Sequence, residues 1–180
     1  MILACAVEIA AFVLVRQGLH TVLFYNLYWP MEFGLLLFLG STIAPEARWY
    51  IAALALPFMG IWIRFALNLD LRTQLTSVSI ITGALMLAGL YLYLLWHIAG
   101  RLSGRLRDLP EFWLCLAVLT YYGSSGPLVG SINYFMQVDV HLAETLSAIS
   151  QLFCIVKFVL MGLACLRLRH PAAVPIHEPG

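Results

Sequence analysis

Six apolar stretches, most of them close to twenty residues long and joined by short linkers, fill this chain from end to end. A helix needs ~20 mainly apolar residues to cross a bilayer. The stretches cover residues 2–16, 21–43, 49–67, 78–100, 111–132 and 147–168, and they predict an all-α polytopic transmembrane bundle of about six spans. Strands are excluded because no stretch sustains a period-two alternation. Composition agrees: 62% of residues are hydrophobic and 11% charged, against about 45–50% and about 25% in soluble domains. The first stretch is short, has no basic leader and carries Glu8 at its centre, so it reads as a retained helix rather than a cleaved signal. Residues 170–180, with three prolines, read as a disordered cytoplasmic tail.

Orientation follows from the loop arginines. One end of the six-span arrangement carries Arg48, Arg101, Arg105, Arg107, Arg167 and Arg169, and the other carries Arg16, Arg64 and Arg72. That bias predicts both termini in the cytoplasm. Tyr25, Tyr28, Trp29 and Trp62 are expected as an outer aromatic belt, and Trp49, Tyr50, Tyr93, Trp96 and Trp113 as an inner one. Small residues four apart, Gly126 with Gly130 and Ala84 with Ala88, predict close helix packing. The net charge of +1 and the lack of a basic tract argue against a nucleic-acid partner.

Charges inside hydrocarbon cost at least ~2.5–3.5 kcal/mol at mid-depth, so each needs a reason. Glu8, Glu32 and Lys157 are the three. Glu8 and Lys157 lie at similar depth in the first and last spans and are expected to form an intramembrane ion pair. Lys157 shares a helix face with Ser150, Cys154, Met161 and Ala164, which should point into the bundle. Glu32 follows Pro30, which suits the first turn of a helix, where a carboxylate is favoured. It is placed in the outer half of its span. The stretch Tyr121-Tyr122-Gly123-Ser124-Ser125-Gly126-Pro127 should break or kink the fifth span between Gly123 and Pro127. It is read either as a kink whose serines satisfy freed carbonyls or as a discontinuous helix whose second half starts at Pro127 and faces a cavity. Glu32, Asn26, Tyr121, Tyr122, Ser124 and Ser125 are the candidate lining of a small outward-facing polar pocket.

Other chemistry finds little support. Cys5, Cys115, Cys154 and Cys165 lie in apolar stretches without a C-x-x-C pair. Asp139, His141 and Glu144 are too few for a metal site, and Asp139 reads as a helix start. A lysine midway along a last helix suits a Schiff base, but nothing else here follows the microbial rhodopsin pattern. No hydrolase or nucleotide-binding motif is present. The chain is therefore read as non-enzymatic, without cofactor or metal.

The run Tyr25-Asn26-Leu27-Tyr28-Trp29-Pro30-Met31-Glu32-Phe33, the run Leu109-Pro110-Glu111-Phe112-Trp113 with the Tyr121–Gly126 stretch after it, and Val7-Glu8-Ile9 together resemble a group of small uncharacterised bacterial polytopic membrane proteins common in Bacteroidetes. That group typically has about seven spans, and some members lie beside histidine kinase genes. The resemblance implies a bacterial inner membrane and a role in sensing or signalling, and it groups Glu8, Glu32 and Tyr121–Gly126 as one constellation. The expected function is a sensory or signalling membrane module. The alternatives are an accessory subunit of a larger membrane complex and a small transporter. The bilayer, and either a membrane protein partner or a second copy of the chain, are the expected partners.

Overall fold

The computed structural model describes residues 22–68, 76–101 and 105–169. The expected first span at 2–16, Glu8 within it, and the tail at 170–180 lie outside these residues. Every element described is helical. The helices are α1 (Val22–Ile43), α2 (Arg48–Ala53), α3 (Ala55–Asn68), α4 (Ser77–Arg101), α5 (Pro110–Val138) and α6 (Val140–Arg169), with 3₁₀ turns at Pro45–Ala47 and Leu106–Asp108. Taking Pro45–Asn68 as one crossing, five helical segments are long and apolar enough to cross a membrane. The protein is a multi-pass helical membrane protein.

Proline accounts for the local breaks. Pro57 has no N–H to offer Ala53, and the helix resets at Leu54, whose own N–H bonds to the Ile51 carbonyl instead. Pro30 sits inside α1 rather than at its start. It cannot donate to the carbonyl of Asn26, and the Trp62 indole N–H donates there instead, at 3.1 Å. Pro127 also lies inside a helix: α5 stays helical from Pro110 to Val138. Gly123–Pro127 is therefore absorbed within one helix, and no separate half-helix begins at Pro127.

Packing is ordered around α4, which contacts α1, α3 and α5. Gly126 of α5 rests directly on Ala84 of α4; a Cβ at position 126 would overlap the Ala84 Cβ. Gly83 does the same for the other side, since a Cβ there would lie 2.7 Å from the Phe58 ring and 3.0 Å from that of Trp29. These contacts let α1, α3, α4 and α5 close on a core of Trp29, Phe33, Phe58, Leu87, Tyr91 and Tyr122. Phe33 and Phe58 stack at 3.8 Å between centroids. Trp29 is thus a core residue and Trp62 a partly buried donor, not members of an exposed belt. At the opposite end Trp49, Tyr50, Tyr93 and Trp96 are exposed, and Trp113, expected with them, is half-buried.

The last two helices form a hairpin joined through Asp139 alone, and α6 makes its extensive contact with α5. Asp139 is extended (φ −154°), and its Oδ1 accepts the Leu142 N–H at 3.2 Å, the N-cap expected of it. At 1.5 Å per residue, helices of 29 and 30 residues reach about 43–45 Å, beyond a hydrocarbon core of about 30 Å. Both helices are thus longer than a crossing requires, and at the hairpin tip His141 is 98% exposed. What reads as a loop over 133–146 is helical on both sides of Asp139.

Candidate functional site

Two polar clusters serve different ends. In the first, Asn26 is 1% exposed and does not border the cavity described below. Its Oδ1 accepts from the Thr76 backbone N–H at 3.0 Å and from the Thr76 hydroxyl at 3.2 Å. Thr76 immediately precedes α4, so this contact pins the start of α4 to α1. Ser79 Oγ donates to the Thr76 carbonyl at 2.7 Å, and the Trp29 indole N–H approaches the Ser79 carbonyl at 3.4 Å. Asn26 thus fastens α1 to α4 through Thr76.

The second cluster is built on Glu32, which stands at the middle of the 22-residue α1. It is neither a helix-start acid nor confined to the outer half of its span. Lys157 Nζ donates to its Oε1 at 3.1 Å. The lysine side chain is 5% exposed and the glutamate 13%. The Glu8–Lys157 pairing expected from depth involves a residue outside those described; among the described residues Glu32 is the acid bound to Lys157. The ammonium also lies 3.9 Å from the centre of the Tyr121 ring and 5.7 Å from that of Tyr122. A cation over a tyrosine face is worth about 0.5–2 kcal/mol, more when water is excluded. The Tyr122 hydroxyl is buried without a hydrogen bond of good geometry, and the Glu32 carboxylate is among its electrostatic neighbours. The structure therefore gathers Glu32, Tyr121, Tyr122 and Lys157. It leaves out Asn26. Ser124 is partly buried and does not border the cavity described next; the Ser125 side chain is outside the described set.

Glu32 and Lys157 border a cavity of about 840 Å³ between α1 and α6. From that pair it runs along Leu35, Leu39 and Thr42 on one side and Phe158, Met161, Ala164 and Leu168 on the other, to His97, Arg101 and Glu111 at the arginine-bearing end. That volume is within the range of about 300–1,000 Å³ usual for small-molecule sites, and the lining is mostly apolar with a few polar groups, as such sites have. The cavity leads from mid-depth toward the arginine-bearing end, away from the end where an outward-facing pocket near Ser124 and Ser125 was expected. Met161 and Ala164, expected on the inward face with Lys157, are on its wall.

The arginine-bearing end has its own network. Glu46 pairs with Arg101 and lies 2.7 Å from His97 Nε2, and Arg167 approaches Asp108 at 3.7 Å. The Trp113 indole donates to the Arg107 carbonyl at 2.7 Å. These contacts join α4 to the Pro45–Ala47 turn and α6 to the Leu106–Asp108 turn. At the other end His141 and Glu144 form an exposed pair at 3.8 Å. No group of three metal-ligating side chains occurs among the described residues. Sequence reasoning missed the Glu32–Lys157 link, although both residues stand near the middle of their helices. No family model, curated protein or solved structure matches this chain.

Proposed function

We propose that the protein is a non-enzymatic sensory module of the membrane, in which a bilayer-soluble ligand occupies the cleft between α1 and α6. The observation that carries this reading is a buried ion pair, Glu32–Lys157, on the wall of a cavity of ligand size. An ion pair confined to packing needs no cavity beside it. Here the pair links two helices across an open cleft, so a molecule entering the cleft acts on the spacing of α1 and α6. Helix shifts of about 1–2 Å are the usual output of such switches. With six arginines at one end, the inside-positive rule supports that end as cytoplasmic. On that orientation the chain is a bacterial inner-membrane protein with cytoplasmic termini and a cleft reached from the inner half of the bilayer. A C-terminal reporter active only in the cytoplasm checks the orientation.

The test compares the wild-type protein with Leu39→Trp, which fills the cleft, after equal purification. Lipid extract from the host membrane is added, and the spacing of paired labels at Thr42 and Leu168 is followed. The expected result is a change of spacing in wild type and none in Leu39→Trp. An unchanged spacing in both overturns the sensory reading.

A further inference from the structure

The two ends of the cleft differ in kind. Away from the arginine-bearing end Glu32 and Lys157 satisfy each other, and Tyr121 covers the ammonium. A ligand head placed there would have to displace Glu32 and strand its charge in hydrocarbon. At the mouth Arg101 is 64% exposed. Its planar fork carries five donors, and Glu46 and one side of the fork leave others facing water. Arg101, His97 and Glu111 line the mouth, and that end of the bundle carries six arginines (Arg48, Arg101, Arg105, Arg107, Arg167 and Arg169) against three carboxylates, Glu46, Asp108 and Glu111. Between the ends the walls are mainly apolar, with Leu35, Leu39, Ile98, Leu114, Phe158 and Met161. Along α6 from Lys157 to Leu168 the trough is about 16 Å long at 1.5 Å per residue, the scale of one extended acyl chain.

We infer that the ligand is a single-chain anionic amphiphile resembling a fatty acid, with its carboxylate at Arg101 and its chain running toward the Glu32–Lys157 pair. This rests on the cleft being a ligand site, as proposed above. The head keeps its water at the interface and gains a charge-assisted bond to the guanidinium. The chain replaces lipid contacts with the apolar walls.

Cys165 lines the cleft and is exposed, whereas Cys115 is buried and Cys154 half-buried. A variant retaining Cys165 alone (Cys5→Ser, Cys115→Ala, Cys154→Ala), in phosphatidylcholine nanodiscs, reports occupancy through its rate of alkylation by a fluorescent maleimide. Palmitate, methyl palmitate and phosphatidylglycerol are the probes. Palmitate is expected to slow alkylation severalfold and its methyl ester far less. Arg101→Gln is expected to erase the difference between acid and ester, and Glu46→Gln, which frees Arg101, to strengthen protection by the acid. Equal protection by acid and ester overturns the anionic head and leaves the cleft as an apolar site. Protection by phosphatidylglycerol as strong as that by palmitate overturns the single chain and assigns the site to a lipid headgroup. No protection by any probe removes the cleft as a ligand site, and with it the sensory reading.

Discussion

The bundle has a closed side and an open side, and α1 belongs to both. Against α3 and α4, α1 is fastened by neutral hydrogen bonds and aromatic stacking: Asn26 to Thr76, Trp62 to the Asn26 carbonyl, Tyr91 to the Leu36 carbonyl, Phe33 on Phe58. Against α6 it meets a charged pair beside a cavity. In hydrocarbon there is no hydrophobic force between helices, so packing and polar contacts decide what stays together. The closed side has both, spread over many groups. On the open side, among the described residues, α1 meets α6 through the Glu32–Lys157 pair beside a cavity. A side of the first kind resists motion and one of the second kind permits it.

The comparison breaks most severely at the seam that joins the two sides. Gly126→Leu puts a branched side chain where even a Cβ overlaps Ala84. Overpacking typically costs about 1–3 kcal/mol and occasionally more, and here backbone must move, so α5 and α6 should separate from α4. The expected outcome is loss of the folded species in thermal unfolding in detergent. Gly123→Ala, which meets nothing within 4 Å, should be tolerated.

On the open side Lys157→Met leaves Glu32 charged and unpaired. Removing one partner of a buried pair costs about 3–5 kcal/mol, whereas exchanging both for uncharged groups is often neutral. The double variant Glu32→Gln with Lys157→Met is therefore expected to recover most of the stability lost in Lys157→Met alone, as read by midpoints of unfolding. A double variant no better than the single one would mean that the ion pair is not the contact that matters there.

On the closed side Asn26→Ala strips the acceptor that holds the Thr76 N–H. A buried group left unsatisfied costs about 1–3 kcal/mol, less than the broken ion pair. Fraying should be local, with faster hydrogen exchange at Thr76 and in the first turn of α4.

How much of this was legible beforehand depends on geometry in one dimension or three. Span positions follow from length and hydropathy, and the run at 78–100 corresponds to α4 within a residue at each end. Depth is also one-dimensional, which is why Lys157 was recognisable as buried and inward-facing. Partnership requires the direction each helix face takes around the bundle, and depth alone left Lys157 matched to Glu8. By sequence Asn26 reads as possible pocket lining in the outer half. The contacts it makes come from Trp62 and Thr76, 36 and 50 residues away, which sequence order does not bring together. Pro127 left a choice that sequence could not make: proline and three nearby glycines allowed either a kink or a break, and the helix runs on through them with Gly126 packed closely on Ala84.

The smallest effect sharpens the comparison further. Tyr91 is fully buried, and its hydroxyl donates to the Leu36 carbonyl at 2.9 Å. That carbonyl belongs to the interior of α1 and already has the helix ladder to accept from. Tyr91→Phe keeps the ring, leaves no donor stranded and removes a second bond to an oxygen that has two lone pairs. Interhelical hydrogen bonds in membranes average about 0.6 kcal/mol, so the unfolding midpoint should fall only slightly. If the closed side is held by many such small contacts, Tyr91→Phe and Trp62→Phe should act additively, being on separate helices with different partners. A combined loss much larger than the sum would show that the closed side is a cooperative network and that α1 moves as one piece with α4. In that case any shift caused by a ligand in the cleft would have to be taken up by α6.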